Sequence, residues 1–188
     1  MTDSLGRPIR DLRISVIDRC NFRCVYCMPK EKFGSNHRFL PNEKILSYDE
    51  IEKIARQFVA LGVKKIRLTG GEPLVRPKLP ELVNRLAKLP GLEDISLTTN
   101  GSLLTRENAQ QLKDAGLNRI TISLDALDDA TFMAINDVKF PVQQVLDAIE
   151  NTNTVGFDSI KINMVVKKGI NEHSVLPMAE FFRGTGHT

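Results

Sequence analysis

The sequence predicts an α/β protein built on a parallel sheet, and three observations carry that prediction. Short β-branched or apolar runs alternate five times with segments of helical periodicity. Glycines at 62, 116 and 156 stop three of the helical segments. The segments richest in glycine, cysteine and small polar residues directly follow the strands. Such a series joins neighbouring strands by right-handed crossovers and collects its chemistry at the strands' carboxyl ends, in an open or a curled sheet.

Each element has its own warrant. Arg13 to Ile17 reads as the first strand, followed at once by the loop holding all three cysteines. Ser47 to Glu50 is a capping-box signature, after which Ile51, Ile54, Ala55 and Phe58 recur on one helical face up to Gly62. Lys64 to Leu68 is the second strand and runs into Thr69-Gly70-Gly71-Glu72-Pro73. Leu79, Leu82, Val83 and Leu86 mark the next helix, and Ile95 to Thr98 the third strand, which meets Asn100-Gly101. A helix from Arg106 carries Ala109, Leu112 and Ala115, and Arg119 to Leu124 is the fourth strand. A short helix spans Ala130 to Ile135. Pro141 opens a longer one, as proline suits the first helical position. Ile160 to Val166 is the fifth strand, and a final amphipathic helix passes through Met178, Ala179 and Phe182.

Composition excludes several classes of function. The chain has 188 residues, one domain's worth, and 41% hydrophobic content, enough for a true core. No apolar run approaches the roughly 18 residues of a membrane span. A formal charge of +3 is too mild to argue for nucleic acid or an anionic membrane. Reduced cysteines and the lack of a targeting segment point to the cytoplasm.

Cys20, Cys24 and Cys27 are the only cysteines, spaced C-x3-C-x2-C. An odd, tightly clustered set argues against a disulfide framework. A zinc knuckle completed by a histidine or a partner is one reading, although tetrahedral zinc wants four ligands and none of His37, His173 and His187 has a supporting constellation. An iron–sulfur cluster is the other. A cubane held by three thiolates leaves one iron free to bind a small molecule. Gly70-Gly71-Glu72-Pro73 alone reads as a tight turn; beside a three-cysteine loop, its glycines would let backbone approach a ligand closely. Tyr26, if not core filler, is placed to lie against a flat base.

Together these motifs resemble the radical S-adenosylmethionine superfamily. The resemblance narrows to the GTP 3',8-cyclase family through the stretches Leu5 to Val16, Asp18 to Cys24, Cys27-Met28-Pro29, Lys64 to Pro73, Thr98 to Gly101, Ser123 to Ala126 and Lys161-Ile162-Asn163. It covers essentially the whole chain. It implies a partial (βα)6-type barrel, here with five βα units and an incomplete carboxyl-side edge, forming one radical S-adenosylmethionine core domain over residues 1–188. It implies Cys20, Cys24 and Cys27 as ligands of a [4Fe–4S] cluster. It assigns contacts with S-adenosylmethionine to Tyr26, Gly70, Gly71, Glu72 and Ser123. It assigns GTP contacts to Arg13, Lys65, Arg67, Thr98 and Lys161, although a lone strand cation is ordinarily a solvated edge residue.

In that family the cluster and a 5'-deoxyadenosyl radical convert GTP to (8S)-3',8-cyclo-7,8-dihydroguanosine 5'-triphosphate, a lyase reaction of molybdenum cofactor biosynthesis, with no side-chain acid or base as catalyst. A reductant protein such as flavodoxin and a homodimer are the implied partners, with neither nucleic acid nor membrane. Asp125 either braces Ser123 or caps the next turn.

The family's enzymes are longer. They carry a second three-cysteine [4Fe–4S] cluster that this chain, with no cysteine beyond Cys27, cannot supply. The chain therefore reads as the N-terminal part of such an enzyme, a poor cyclase alone, with an unpaired fifth strand at Met164, Val165 and Val166. The alternatives are a sister radical enzyme acting on a peptide, and a non-catalytic metal-binding fragment.

Overall fold

Along each strand, alternate residues differ sharply in chemistry, and that alternation builds a sheet with one apolar and one polar face. The computed structural model describes residues 2, 4–158 and 160–188. Its strands are Asp11–Ser15 (β1), Lys65–Thr69 (β2), Asp94–Thr99 (β3), Arg119–Ser123 (β4) and Ile160–Asn163 (β5). They form one parallel sheet in chain order. The helices are Lys30–Phe33 (α1), Tyr48–Ala60 (α2), Leu79–Ala87 (α3), Arg106–Asp114 (α4), Asp129–Asn136 (α5), Val142–Thr154 (α6) and Val175–Phe181 (α7). A sheet in sequential order with right-handed crossovers puts its helices on one face.

The covered face presents Ile66, Leu68, Ile95, Leu97, Ile120, Ile122 and Ile160, all buried, against Leu79, Leu82, Val83 and Leu86 of α3 and their counterparts. Each such aliphatic side chain contributes about 1.5–3 kcal/mol of burial. The capping box is formed in full: the Ser47 hydroxyl accepts the Glu50 N–H, and the Glu50 carboxylate accepts the Ser47 N–H. The opposite face carries Arg13, Lys65, Arg67, Thr98, Arg119, Ser123 and Lys161, which share one parity through the register of the five strands.

Three sequence expectations are corrected. Pro141 is the N-cap rather than the first helical residue, and α6 starts where the Val142 N–H donates to Asp129 at 2.7 Å. The fifth strand stops at Asn163 rather than Val166. The Val165 N–H is taken by the Asp125 carboxylate (2.8 Å) and its carbonyl by the Asn171 amide (2.9 Å), so side chains replace the ladder. The outer edge of β5 is also engaged. Thr188 donates its N–H to the Ile160 carbonyl (3.1 Å) and accepts the Ile162 N–H (2.7 Å), which is parallel-strand pairing. No helix among the described residues is long and apolar enough to cross a membrane.

Candidate active site

The cysteine loop leaves β1 over the carboxyl end of the sheet and is pinned from three sides. Phe22, 3% exposed, packs edge-on against Phe132 (6.4 Å) and tilted against Phe140 (5.1 Å). The Arg23 and Val25 N–H groups donate to the Asn136 and Ile135 carbonyls at the end of α5, both at 3.0 Å. The Arg23 guanidinium donates to the carbonyls of Cys20 (2.7 Å), Phe22 (2.8 Å) and Phe33 (2.9 Å), closing the loop on itself. Backbone direction is thus set by one aromatic and one arginine, neither of which sulfur chemistry alone would single out.

The glycine pair after β2 meets this loop directly. The Gly71 N–H donates to the Ile17 carbonyl (2.7 Å) and the Glu72 N–H to the Arg19 carbonyl (2.8 Å). A Cβ on Gly71 would overlap the Arg19 carbonyl, and one on Gly70 would lie 2.7 Å from the Ile17 carbonyl oxygen. The close approach that requires glycine is therefore to the cysteine loop's own backbone. Gly71 also lines the pocket, whereas Gly70 does not.

That pocket has three walls. One wall is the three cysteines with Tyr26; another is Gly71 and Glu72; the third is Thr98, Asn100, Ser123 and Asp125. The cysteine loop, the glycine turn and the ends of β3 and β4 converge here, as the sequence predicts. Arg13, Lys65 and Arg67 instead line a second depression on the same face, nearer the strands' amino ends, with Ser96 and Arg119. Lys161 sits on that face in register with Thr121, which pairs with Thr98.

The electrostatics of the pocket are uneven. The Cys24 thiol donates to Cys27, which with the Met28 N–H holds the Cys27 thiol down at about 7. The same hydrogen bond, with burial, pushes Cys24 well up. Burial raises Cys20, the nearby Glu72 charge adds to this, and a Phe22 N–H at 3.4 Å opposes it. Glu72 is 1% exposed, and burial raises its carboxyl above the usual range. Its oxygens accept from the Leu74 N–H (3.0 Å), the Thr99 hydroxyl (2.7 Å) and the Asn100 N–H (2.7 Å), so the side chain braces two strand ends.

Asp125 neither braces Ser123 nor caps a turn. It accepts from the Tyr26 hydroxyl (2.9 Å) and the Val165 N–H, tying the cysteine loop to β4 and to the segment after β5. Burial, with the Asp125 charge behind it, pushes the Tyr26 phenol up, so it stays a donor. The sequence offers Asn100 and Phe22 only inside motifs and Arg119 only as the first residue of a strand, and it does not single out Asn136. The contacts that tie them into the site come from residues tens of positions away, and only the Arg119–Asp94 pairing has a trace in the pattern, as opposite charges on successive strands.

His37 lies tilted against Phe33 and edge-on to Phe39, both at 4.6 Å, and His173 lies 3.4 Å from the Thr131 hydroxyl. Among the described residues no three His, Cys, Asp or Glu side chains converge closely enough to hold a single metal ion. A cubane asks for something different: one thiolate per iron, hence three sulfurs spread around one wall. Three cysteine thiols on a single pocket wall, with N–H donors already aimed at Cys20 and Cys27, fit that donor set.

Fold and pocket together define a parallel α/β domain with a three-thiol site at the carboxyl ends of its strands. The Radical SAM superfamily matches residues 14–182, and the chain belongs to that superfamily. It is 54% identical over 183 residues to the GTP 3',8-cyclase of Staphylococcus saprophyticus, covering 97% of this chain and 53% of that protein. The corresponding protein of Acidothermus cellulolyticus is 55% identical over 185 residues, covering 98% and 51%. The chain thus spans about half the length of the curated relatives it matches. Among solved structures it superposes on Streptococcus suis SuiB bound to precursor peptide SuiA with a TM-score of 0.75 at 21% identity, covering 93% of this chain and 37% of that one. It superposes on methylornithine synthase (PylB) with a TM-score of 0.73 at 15% identity, covering 94% and 50%. At those identities the likeness is one of fold.

Proposed function

We propose that this chain carries the S-adenosylmethionine site and the triphosphate grip of a GTP 3',8-cyclase in molybdenum cofactor biosynthesis. Cys20, Cys24 and Cys27 hold a [4Fe–4S] cluster. When bound there, such a cluster would supply the electron for reductive cleavage of S-adenosylmethionine, the radical source that cyclisation of GTP requires. The chain's own residues bind and orient. Gly70 and Gly71 bring the turn after β2 against the cysteine loop, so that backbone groups meet the methionine end of the cofactor. Tyr26, steadied through its hydroxyl by Asp125, flanks the adenine. Ser123 takes polar groups between. Glu72 serves mainly by fixing this geometry, since its oxygens are already engaged. A soluble reductant protein delivers the electron.

One observation carries the choice of a triphosphate. Arg13 and Arg67 are register partners on neighbouring strands, and among the described residues neither has a carboxylate partner. Like charges directly opposite on a sheet are destabilising, so the pair is built for an anion. Lys65 lies one same-face row nearer the amino ends, while Thr98 and Lys161 lie one row nearer the pocket and Ser123 a further row on. Rows on one face are about 6.6 Å apart, so Lys65 to Ser123 is about 20 Å. That reach suits an extended nucleoside triphosphate with its sugar beneath the radical source.

Arg67→Ala is expected to weaken GTP binding to the chain by about 1.5–3 kcal/mol, roughly ten- to a hundredfold, in isothermal titration. Arg56→Ala, on α2 and paired with Glu52, should leave it unchanged. Equal GTP affinity in the parent and Arg67→Ala proteins would remove the triphosphate reading and favour a sister enzyme with another substrate.

A further inference from the structure

Beside the cysteine wall lies a closed ring of three polar side chains that the proposed reaction does not use. The Asn21 amide donates to the Ser102 hydroxyl (2.7 Å), the Ser102 hydroxyl to the Asn100 side-chain oxygen (2.6 Å), and the Asn100 amide to the Asn21 oxygen (2.9 Å). The Asn100 Oδ1 also accepts the Ser102 backbone N–H at 2.9 Å. A backbone N–H can only donate, so this contact fixes which end of the amide is oxygen. The other end, Nδ2, therefore faces the cysteine loop, and its second hydrogen lies toward Cys20 Sγ at 3.8 Å. The residue cannot swing away easily, because its own N–H is held by the buried Glu72 carboxylate.

Cys20 is thus set apart from the other two thiols. Its sulfur faces two N–H donors from different strand ends, the Phe22 backbone at 3.4 Å and the Asn100 amide. Cys24 has its hydrogen bond with the Cys27 thiol. Hydrogen bonds to ligand sulfur stabilise the more negative, reduced state of an iron–sulfur cluster and so raise its potential.

We propose that Asn100 is a redox-positioning residue: its side-chain amide, locked by Asn21 and Ser102, donates to the Cys20 thiolate and eases one-electron reduction of the cluster. This rests on the cluster reading above and goes beyond it by assigning a residue and a direction. Through its backbone N–H on Glu72 and its side-chain amide on Cys20, the same residue joins the Gly70–Pro73 turn to the sulfur that begins the cysteine loop.

The test is a potentiometric titration of the anaerobically reconstituted chain, followed by electron paramagnetic resonance and scored per bound cluster. Asn100→Ala should lower the ratio of reduced to oxidised cluster at a fixed potential by about tenfold, equivalent to a ~59 mV negative shift for a one-electron couple. Ser102→Ala, which keeps the amide and the backbone N–H that orients it but removes the hydroxyl from the ring, should shift it the same way by less. An unchanged or positive shift in iron-loaded Asn100→Ala would overturn the proposal. Should that variant fail to bind iron, the parent protein decides. With ¹⁵N placed only in asparagine side chains, pulsed resonance of the reduced cluster should resolve a nitrogen coupling, and no coupling overturns the assignment. Absence of any cluster in the parent would instead defeat the reading on which the proposal rests.

Discussion

Gly71→Ala is expected to strip the chain of bound iron and to cost about 3 kcal/mol of stability, near the upper end of ordinary overpacking. The added methyl would occupy the place of the Arg19 carbonyl and lie 2.9 Å from the Cys20 nitrogen. Both obstacles are backbone, so neither can rotate aside. To admit the methyl, the loop must release the Gly71-to-Ile17 and Glu72-to-Arg19 hydrogen bonds, and Cys20 moves with them. Gly169→Ala is the control. It has a left-handed backbone (φ +79°) but nothing within 4 Å, so it should cost about 1 kcal/mol and leave iron binding intact. Iron content and denaturant midpoints measured side by side separate the two. Parent-level iron in Gly71→Ala would show that the loop does not depend on this contact.

The second large effect is expected at Glu72. Glu72→Gln keeps the volume but turns one end of the group into a donor facing the N–H of Asn100 or of Leu74, leaving a buried donor unsatisfied. The expected cost is about 1–3 kcal/mol. Its pH dependence has a definite sign. Burial raises the folded-state carboxyl above its unfolded value of about 4.3, so the folded protein holds the proton longer than the unfolded chain does. The parent's stability from this group is therefore complete below the unfolded value and declines as pH rises through the raised one. The glutamine variant has no such slope, and the gap between the two proteins should be widest in acid and narrow toward neutrality. Urea titrations from pH 4 to 7 measure it; a gap that widens with pH would mean that hydrogen bonding outweighs burial at this carboxylate.

How much was legible in the sequence follows from where each cause lies. The α2 capping box and the α3 stripe of Leu79, Leu82, Val83 and Leu86 were readable because their determinants are close neighbours along one helix. The convergence of the cysteine loop, the glycine turn, Thr98 and Ser123 was readable because parallel topology sends every strand end to the same rim. The end of β5 was not. Strand periodicity sees only an apolar continuation in Met164, Val165 and Val166, whereas Asp125, forty residues before Val165, removes that residue from the ladder. Asp125 itself was misassigned for the same reason, its partners Tyr26 and Val165 lying far off in opposite directions. The glycine pair was found, but its cause was placed on a ligand, when the nearer constraint is the Ile17–Cys20 backbone.

Three thiols, a glycine turn and the ends of β3 and β4 stand or fall together as one S-adenosylmethionine-dependent cluster site. Electron paramagnetic resonance of the reduced, anaerobically reconstituted chain, recorded with and without S-adenosylmethionine, examines that site as a unit. The expected result is a [4Fe–4S]⁺ signal whose shape changes when S-adenosylmethionine is added. A soluble chain that binds zinc in place of iron, or a cluster signal indifferent to S-adenosylmethionine, would contradict it.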